Sequence, residues 1–323
     1  MLVRAQSGEV SFTVSDLEIW GSARFPGEGN GECLITSFGD FDAWVRALDK
    51  GPVSIEWDGN STRLCVAQGG DTCEFSVYPA NNFPHPPDTE WRTVFWIDAS
   101  LFKEAVRKTT FAASKDEARP ALCAVYLEAE LGGASFAAAD SYRLAKYCPN
   151  APVETQGQWL VSAQMLELAA KYAGTRVTLQ VGEKCARIIT GNLTYTAYLT
   201  DEKYPNYRQI IPDLETYPIQ VVADRAALLK AVKRARKLDV EIVYLEIMGG
   251  LSLRAQNGDA TARMRVSSVV HGGSLEIGFE PVYLEDVLRV LDGDVVNMYF
   301  VANRAPAVIQ DTQYIYLIMP KGY

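Results

Sequence analysis

An internal repeat constrains the fold of this chain more than any other feature. Three stretches share one order: a short amphipathic helix pattern, a glycine turn, and alternating strand patterns that end at a proline. They run from Phe41 to Pro79, from Gln164 to Pro205 and from Tyr283 to Pro320. Their helix patterns are at Phe41–Lys50, Gln164–Ala173 and Tyr283–Asp292. The turn glycines, Gly51, Gly174 and Gly293, are separated by 123 and 119 residues. This spacing indicates repeated domains of similar size.

A second motif, a helix followed by a pair of strands, precedes the first motif in the two later units. The helix pattern at Leu101–Lys108 resembles that at Leu228–Arg234, and the strands that follow begin at Tyr126 and Tyr244. The first unit has the strand pair, roughly Met1–Val14 into Leu17–Arg24, without a helix before it. We therefore expect a shortened first domain and two complete ones.

Proline-rich linkers at 79–90 and 212–218 separate the units. They divide the chain into domains at 1–90, 91–215 and 216–323. Each complete unit contains two helix patterns and about eight short strands. The predicted class is α+β, with antiparallel sheets outside and paired helices covering one face.

Composition excludes several classes of protein. The chain of 323 residues has 48% hydrophobic residues, as globular proteins do, and no apolar run long enough for a membrane helix or a signal peptide. We therefore expect a cytoplasmic protein. Six scattered cysteines and two isolated histidines form no metal-binding pattern, so we expect neither a metal nor a cofactor.

The net charge of −9 is unevenly distributed along the chain. Residues 1–90 contain 5 Lys/Arg and 14 Asp/Glu, which accounts for all of it. Residues 91–217 contain 14 of each, and residues 218–323 contain 12 of each. The two later segments therefore have enough cations to form a basic surface.

Two helix patterns concentrate those cations. The pattern near 225–237 places four cations at i, i+3, i+4 and i+7, on one face, opposite an apolar stripe. A related set lies on the pattern near 99–110, where Glu104 offsets one lysine. Cations without base-reading motifs suit phosphate contact without sequence specificity. The candidate residues for such phosphate contact are Lys230, Lys233, Arg234 and Lys237, then Lys103, Arg107 and Lys108.

Four ordered motifs and the repeat resemble the bacterial sliding clamp family, the beta subunit of DNA polymerase III. The segments at 137–145, 204–212, 276–284 and 316–320 are similar to the family's TDGHRLA, FPDYRRVLP, IGFNVSYVLDVL and YVVMP segments. The segment at 78–84 is similar to the close of the family's first domain. The resemblance spans nearly the whole chain.

The resemblance implies a non-catalytic processivity factor, a head-to-tail homodimeric ring around duplex DNA. It implies that the basic helix faces line the hole, which makes their cations the candidate DNA-binding residues. It also implies a groove that binds short linear motifs of DNA polymerase, the clamp loader and repair proteins. The matching groove positions are Leu122, Ala139, Ser141, Tyr142, Arg143, Leu144, Pro205, Gln209, Ile210, Tyr283, Leu317, Ile318, Met319 and Pro320. Apolar side chains there suit Leu or Phe side chains of a peptide.

Some positions depart from the family pattern. Glu280 replaces an Asn at the groove rim, Ser141-Tyr142 replaces Gly-His, and the tail Lys321-Gly322-Tyr323 replaces Met-Arg-Leu. The family's first helix has no counterpart here, so either the start codon is misplaced or this is a reduced clamp with only one helix in its first domain. Two alternatives to a closed ring therefore stay open: a clamp-like adaptor that keeps the groove without closing a ring, and an enzyme that uses Asp140.

The resemblance also implies an interface between the first and third domains of two subunits. The matching strand of the first domain, at 71–77, is acidic, and that of the third, at 260–266, is basic. We expect Glu74 to face the cations Arg263 and Arg265, while Phe75 and Val77 pack against the partner subunit.

Overall fold

The computed structural model describes residues 1–59 and 61–322. It forms two compact units. Unit 1 contains Met1–Thr93 and Tyr172–Tyr198, and unit 2 contains Val94–Lys171 and the residues from Leu199 onward. No helix in the described ranges is long and apolar enough to cross a lipid bilayer.

The elements follow in chain order. The first are β1 (Leu2–Gln6), β2 (Glu9–Ser15), β3 (Ile19–Pro26), β4 (Gly31–Ile35), α1 (Phe38–Ala47), β5 (Ser54–Glu56), β6 (Arg63–Gln68) and β7 (Asp71–Pro79). Next are β8 (Arg92–Asp98), α2 (Ala99–Thr109), α3 (Pro120–Cys123), β9 (Ala124–Glu130), β10 (Gly133–Ala139), β11 (Arg143–Tyr147), β12 (Gly157–Ser162), α4 (Ala163–Tyr172), β13 (Arg176–Val181), β14 (Cys185–Thr190) and β15 (Leu193–Tyr198). The last are β16 (Ile219–Asp224), α5 (Arg225–Arg236), β17 (Val243–Ile247), β18 (Leu251–Asn257), β19 (Ala260–Val266), β20 (Ser268–His271), β21 (Leu275–Phe279), α6 (Pro281–Val290), β22 (Val295–Phe300), β23 (Ala307–Asp311) and β24 (Tyr314–Ile318).

Unit 1 is built on antiparallel strands in the order β5-β6-β7-β4-β1-β2-β3-β15-β14-β13. Ser7 and Gly8 both have positive φ, which turns β1 back onto β2 as a tight hairpin. The single strand expected over residues 1–14 is therefore two strands. The core lies under α1, where Phe41 packs on Phe75 with ring centroids 5.3 Å apart.

Unit 2 combines a nine-stranded and a four-stranded antiparallel sheet. Within the larger sheet β11 pairs with β24, so Leu144 lies opposite Leu317 although 173 residues separate them in the sequence. This pairing joins the second and third repeats in one sheet. The smaller sheet has the order β19-β18-β17-β21, which leaves β19 at an edge.

The helices of unit 2 follow from local sequence signals. The Asp224 side chain caps α5 by accepting from the Ala227 N–H at 2.7 Å, and Pro281 occupies the first turn of α6. Leu228 and Val232, on the inner face of α5, are fully buried. The helices predicted near 41–50, 99–110, 164–173, 225–237 and 283–292 are all confirmed, with ends within three residues of those expected.

Candidate functional site

An apolar cluster in unit 2 brings together residues from distant parts of the chain. Leu122, Leu144 and Leu317 are each buried and pack with Tyr204 and Tyr207. Ala139 packs against the same cluster. The Tyr204 ring stacks on that of Tyr126 with centroids 5.1 Å apart, and the Tyr207 ring meets Tyr126 edge-on at 5.7 Å. Four of the sequence-predicted groove residues therefore share one hydrophobic floor.

Aromatic and apolar side chains form a wall beside this floor. The rings of Tyr142 and Tyr283 are stacked with centroids 6.4 Å apart. The backbone N–H of Met319 donates to the Tyr142 carbonyl at 2.7 Å, which extends the β11–β24 pairing by one residue. Ile318 is buried and paired with Arg143 in the same ladder.

Arg143 connects this wall to neighbouring segments, because each of its three guanidinium nitrogens donates a hydrogen bond. Nε donates to Asp140 at 2.8 Å, Nη1 to Asp286 at 2.7 Å and Nη2 to the Phe111 carbonyl at 2.7 Å. Its guanidinium carbon lies 4.6 Å from the centre of the Tyr283 ring. A buried cation with these partners fixes the position of the loop before β11 relative to α6.

The electrostatics of this cation follow from its partners. Burial by itself favours the neutral form of Arg143, but Tyr316, Asp286 and Asp140 outweigh burial and hold the Arg143 pKa above its ordinary value. Burial raises the pKa of the Tyr316 phenol as well. The group is therefore a permanent cation with a structural role.

Asp140, the residue of the enzyme hypothesis, is fully engaged by its neighbours. One carboxylate oxygen accepts from the backbone N–H groups of Tyr142 and Arg143, at 3.0 and 3.1 Å, and the other accepts from the Arg143 side chain. This arrangement holds Ser141 at φ 83°, a left-handed conformation. Asp140 therefore shapes the turn at the groove wall.

The segment after β15 forms the opposite wall. Tyr207–Ile210 is a short 3₁₀ helix in which the Gln209 N–H donates to the Asn206 carbonyl at 3.3 Å. Just before it, the Tyr207 N–H donates to the Pro205 carbonyl at 2.7 Å. Tyr204 and Tyr207 face the cluster, while Pro205, Gln209 and Ile210 are exposed. Burial of the Tyr204 phenol raises its pKa.

Exposure divides the predicted groove residues into two sets. Leu122, Leu144 and Leu317 are at most 9% exposed and belong to the floor, and Ile318 is 1% exposed outside that cluster. Tyr142, Ile210 and Met319 are 59%, 56% and 41% exposed, so they offer apolar surface to a ligand. Pro320 is half-buried, and next to it Lys321 forms an ion pair with Glu280 at 3.5 Å. This pair links two of the positions that depart from the family pattern.

Sequence reasoning missed several residues that build the site. Asp286 and Phe111 hold Arg143, and the Arg119 guanidinium donates to the Ser141 hydroxyl at 2.7 Å. Asp286 lies one turn after Tyr283 on α6, a spacing that places both on one helix face. This i, i+3 spacing is the feature of the sequence that could have assigned Asp286 to the site together with Tyr283.

The basic face of α5 has the expected exposure. Lys230, Lys233, Arg234 and Lys237 are all exposed, and none of them forms an ion pair within the described ranges. Arg236 is different, because it pairs with the buried carboxylate of Glu285 on α6. Lys103 on α2 is exposed too.

The assignment of Lys108 to the DNA-binding residues requires a correction. Its ammonium lies 2.6 Å from Glu104 and 3.0 Å from Asp292, the side chain is 6% exposed, and Nζ lies 4.8 Å from the centre of the Tyr147 ring. Arg107 also donates to Asp292, at 3.0 Å, and to the Val290 carbonyl at 2.8 Å. Both cations connect α2 to the end of α6, and Lys108 is not available to DNA.

The assignment of Phe75 and Val77 to the subunit interface also requires a correction. They are 3% and 6% exposed, and they point into the core of unit 1, where Phe75 contacts Phe41. Alternation along β7 turns Glu74 outward instead. The assignment of the two apolar residues to a subunit interface is therefore wrong.

The two strands assigned to that interface nevertheless have free edges among the described residues. β7 pairs with β6 over Asp71–Ser76 but with β4 only over Val77–Pro79. β19 pairs with β18 alone. Arg263 and Arg265 on β19 are exposed, and Arg263 lies 3.4 Å from Glu246.

The repeats, the sheets and the groove together define a protein of the DNA-clamp fold. Residues 96–206 match the family described as DNA polymerase III beta subunit, central domain, and residues 205–321 match its C-terminal domain.

Individual relatives agree with this family match. The beta sliding clamp of Micrococcus luteus is 30% identical over 80% of this chain and 86% of its own length. That of Pseudomonas putida is 28% identical over 99% and 90%. The crystal structure of the DNA polymerase III subunit beta from Pseudomonas aeruginosa superposes with a TM-score of 0.91, at 26% identity, over 99% of this chain and 92% of that one.

The chain belongs to the DNA polymerase III beta subunit family, the bacterial sliding clamps. Its function is that of a DNA sliding clamp.

Proposed function

We propose that this clamp acts as a head-to-tail homodimeric ring around duplex DNA and tethers its partners through the groove of unit 2. The observation that carries the proposal is the groove itself. Segments more than a hundred residues apart converge on one apolar floor, and exposed Tyr142, Ile210 and Met319 stand above it. An apolar trough with a few polar groups at its rim suits a short peptide with Leu or Phe side chains.

The partners of the groove are DNA polymerase, the clamp loader and repair proteins, each through a short linear motif. The fixed aromatic and arginine wall supports this role, because a preorganised site loses little entropy when a peptide binds. The carboxylate of Asp140 is occupied by structural hydrogen bonds, which supports a non-catalytic role. Because the DNA of bacteria lies in the cytoplasm, a clamp that acts on this DNA is a cytoplasmic protein.

The DNA contacts come from exposed cations on α5 and α2: Lys230, Lys233, Arg234, Lys237 and Lys103. These contacts are with phosphates and are therefore independent of sequence. The chain has three clamp domains, at 1–90, 91–215 and 216–323. The ring forms when the free edge of β7 meets the free edge of β19 in a second subunit, with Glu74 opposite Arg263 or Arg265.

Retention on circular DNA tests the ring. The protein is loaded onto nicked circular DNA with a bacterial clamp loader and ATP, and the DNA is then cut once with a restriction enzyme. A closed ring stays on the circle at moderate salt and leaves the linear molecule from its ends. Equal loss from both forms, together with normal binding of a clamp-binding peptide, would favour the adaptor that does not close a ring.

A further inference from the structure

A second apolar cavity lies in unit 2 next to the floor of the groove. It has a volume of about 260 Å³, and its apolar lining includes Ile211, Leu214, Val308 and Ile315; we call it the side cavity. Three of these residues are only half-buried, so the cavity is open to solvent. The lining residues are outside the set of predicted groove positions. Val308 nevertheless belongs to the floor cluster, and the other three pack against that cluster.

The side cavity continues the groove along β24. Side chains on a strand alternate between faces, so Ile315 and Leu317 lie on the same face, and Met319 follows at the same spacing. Leu317 pairs with Leu144 of β11, and Ile315 pairs with Lys146, two residues further along β11. Each step of two residues advances about 7 Å along a strand, and an extended peptide has the same repeat. A peptide side chain two residues beyond the one above Leu317 therefore reaches the side cavity.

One segment of the chain forms the outer wall of both the groove and the side cavity. Ile210 is 56% exposed beside the floor, and the next residue, Ile211, lines the side cavity. The segment continues into a short 3₁₀ helix, Leu214–Thr216. Directly after this helix, the Tyr217 hydroxyl donates to the Pro306 carbonyl at 3.0 Å, which holds the wall against the start of β23. The cavity is thus held in place by contacts within the chain, and a ligand loses little entropy in ordering it.

The interior of the side cavity suits an uncharged apolar group. Asp213 is the one charged residue of the lining, and Gln310 is its other polar residue. Glu215 and Asp311 are exposed next to lining residues in the sequence, whereas Lys146 is half-buried on β11. A ligand with a carboxylate would therefore meet like charge at the rim. An apolar cavity of about 150 Å³ already holds a benzene ring, so the side cavity is large enough for one Phe side chain.

We propose that the side cavity is a further subsite of the groove, which receives an apolar side chain two residues beyond the apolar end of the bound peptide. This inference rests on the proposed function of the groove. An aromatic side chain fits best, because it buries a large apolar area with few rotatable bonds. Partners whose motif is followed by such a residue then bind the clamp more tightly than partners whose motif is not.

The test compares extended peptides by fluorescence polarisation on the whole chain. The core peptide is a fluorescein-labelled clamp-binding peptide in which Gln precedes Leu residues. The extended peptides add Ser-Phe-Ser or Ser-Ser-Ser after the last apolar residue of the core. The Phe extension should bind about tenfold more tightly than the Ser extension, which is within the range for burial of one aromatic side chain. The Ser extension should bind like the core peptide.

A double variant tests the cavity itself. Leu214→Ser combined with Ile315→Thr should remove the gain from Phe and leave the affinity for the core peptide unchanged. Leu214 is in a short 3₁₀ helix at the surface, and Thr keeps a β-branched side chain in β24, so thermal melting should remain close to wild type. Met248→Ser with Val269→Thr, at positions 77% and 56% exposed elsewhere in unit 2, is the matched control and should keep the full gain.

Failure of the groove and failure of the side cavity give different results. If neither the core nor the Phe-extended peptide binds wild type, the proposed function of the groove is wrong, and the further subsite fails with it. If the core peptide binds but Phe adds nothing, or if the Leu214/Ile315 variant keeps the gain, only the side cavity is refuted. Unchanged affinity of the Phe-extended peptide in Ile210→Ala with Met319→Ala would place the peptide outside the groove and also overturn the proposal.

Discussion

Some residues of the groove belong to the core and others can contact a peptide, and the exposed fraction of the side chain distinguishes the two kinds. Leu144 is 1% exposed and belongs to the core, so replacing it tests folding as much as binding. Ile210 and Met319 are 56% and 41% exposed and can contact a peptide directly. Binding experiments should therefore change these two residues.

We predict that Ile210→Ala combined with Met319→Ala weakens binding of a Gln- and Leu-containing clamp-binding peptide by about 2 kcal/mol, the scale of interface hot spots. The lost apolar contact area is the physical reason. Isothermal titration calorimetry measures the effect. Met248→Ala with Val269→Ala, which truncates an exposed Met and an exposed β-branched residue elsewhere in unit 2, is the control and should leave affinity unchanged. Equal weakening by both double variants would show that the groove assignment is wrong.

At the scale of elements, α5 and α2 differ although their sequences look alike. Both have cations in the last turn, but only α5 leaves a full row of them exposed. On α2, Lys108 and Arg107 are directed at Asp292 and at the end of α6. Helix α5 therefore suits DNA contact, whereas the last-turn cations of α2 mainly hold α2 against the end of α6.

We predict that changing Lys230, Lys233, Arg234 and Lys237 to Ala reduces retention on circular DNA and lowers the slope of log affinity against log salt by up to about 4, close to one for each phosphate contact. Filter binding across a salt series gives the slope. The control removes four other exposed cations, Lys115, Lys184, Lys203 and Arg304, which produces the same change in net charge. If the two quadruple variants lose the same affinity, net charge and not the α5 face explains the binding.

The contacts of α6 with α2 and α5 should make unit 2 sensitive to acid. Burial opposes ionisation of Asp292 and Glu285, but hydrogen bonds and charge from Lys108 and Arg107, and from Arg236 and Arg289, outweigh burial and lower both pKa values. A carboxyl with a lowered folded-state pKa contributes stability that is fully present above its unfolded pKa, about 4. That contribution is lost as pH falls through the folded-state value.

We therefore predict that Asp292→Asn lowers the free energy of unfolding at pH 7 and makes it less dependent on pH below about 4 than in wild type. Urea unfolding at a series of pH values measures both effects. Asp311→Asn, at an exposed carboxylate that forms no ion pair within the described ranges, should leave the curve unchanged. A parallel loss of stability in Asp292→Asn at every pH would mean that packing, and not the charge, accounts for its effect.

For the whole molecule, the question is whether two chains close a ring. The free edges of β7 and β19 can pair by strand addition, and the exposed charges there are of opposite sign. Exposed ion pairs contribute only about 0–1 kcal/mol each, so they select the partner more than they hold it. Because Phe75 and Val77 are core residues, the backbone ladder has to supply more of the association energy than the sequence suggested.

We predict that wild type sediments as a dimer at tens of micromolar, about the range of a moderate protein interface. Glu74→Arg should shift it toward monomer, since the new cation faces Arg263 and Arg265. Adding Arg263→Glu and Arg265→Glu should restore the dimer. A wild type that stays monomeric in analytical ultracentrifugation would exclude the ring and support the adaptor.

The sequence by itself determined the repeat, the helices and the composition of the groove. These properties depend on local periodicity, turn glycines and capping residues, and a motif such as Ala137–Leu144 is visible without coordinates. The basic face of α5 was predictable for the same reason, because a spacing of three and four residues places side chains on one face of a helix.

Only the tertiary structure decided which of those side chains are accessible. Lys108 looks like a surface residue in its helix pattern, yet it is paired with Asp292. The alternation along β7 separates Phe75 from Glu74, but only the tertiary structure shows that Phe41 of the same chain packs on Phe75. Both contacts are long-range: 184 residues separate Lys108 from Asp292, and 34 separate Phe75 from Phe41. Burial is a property of what packs on a side chain from elsewhere in the chain, so no local periodicity contains it.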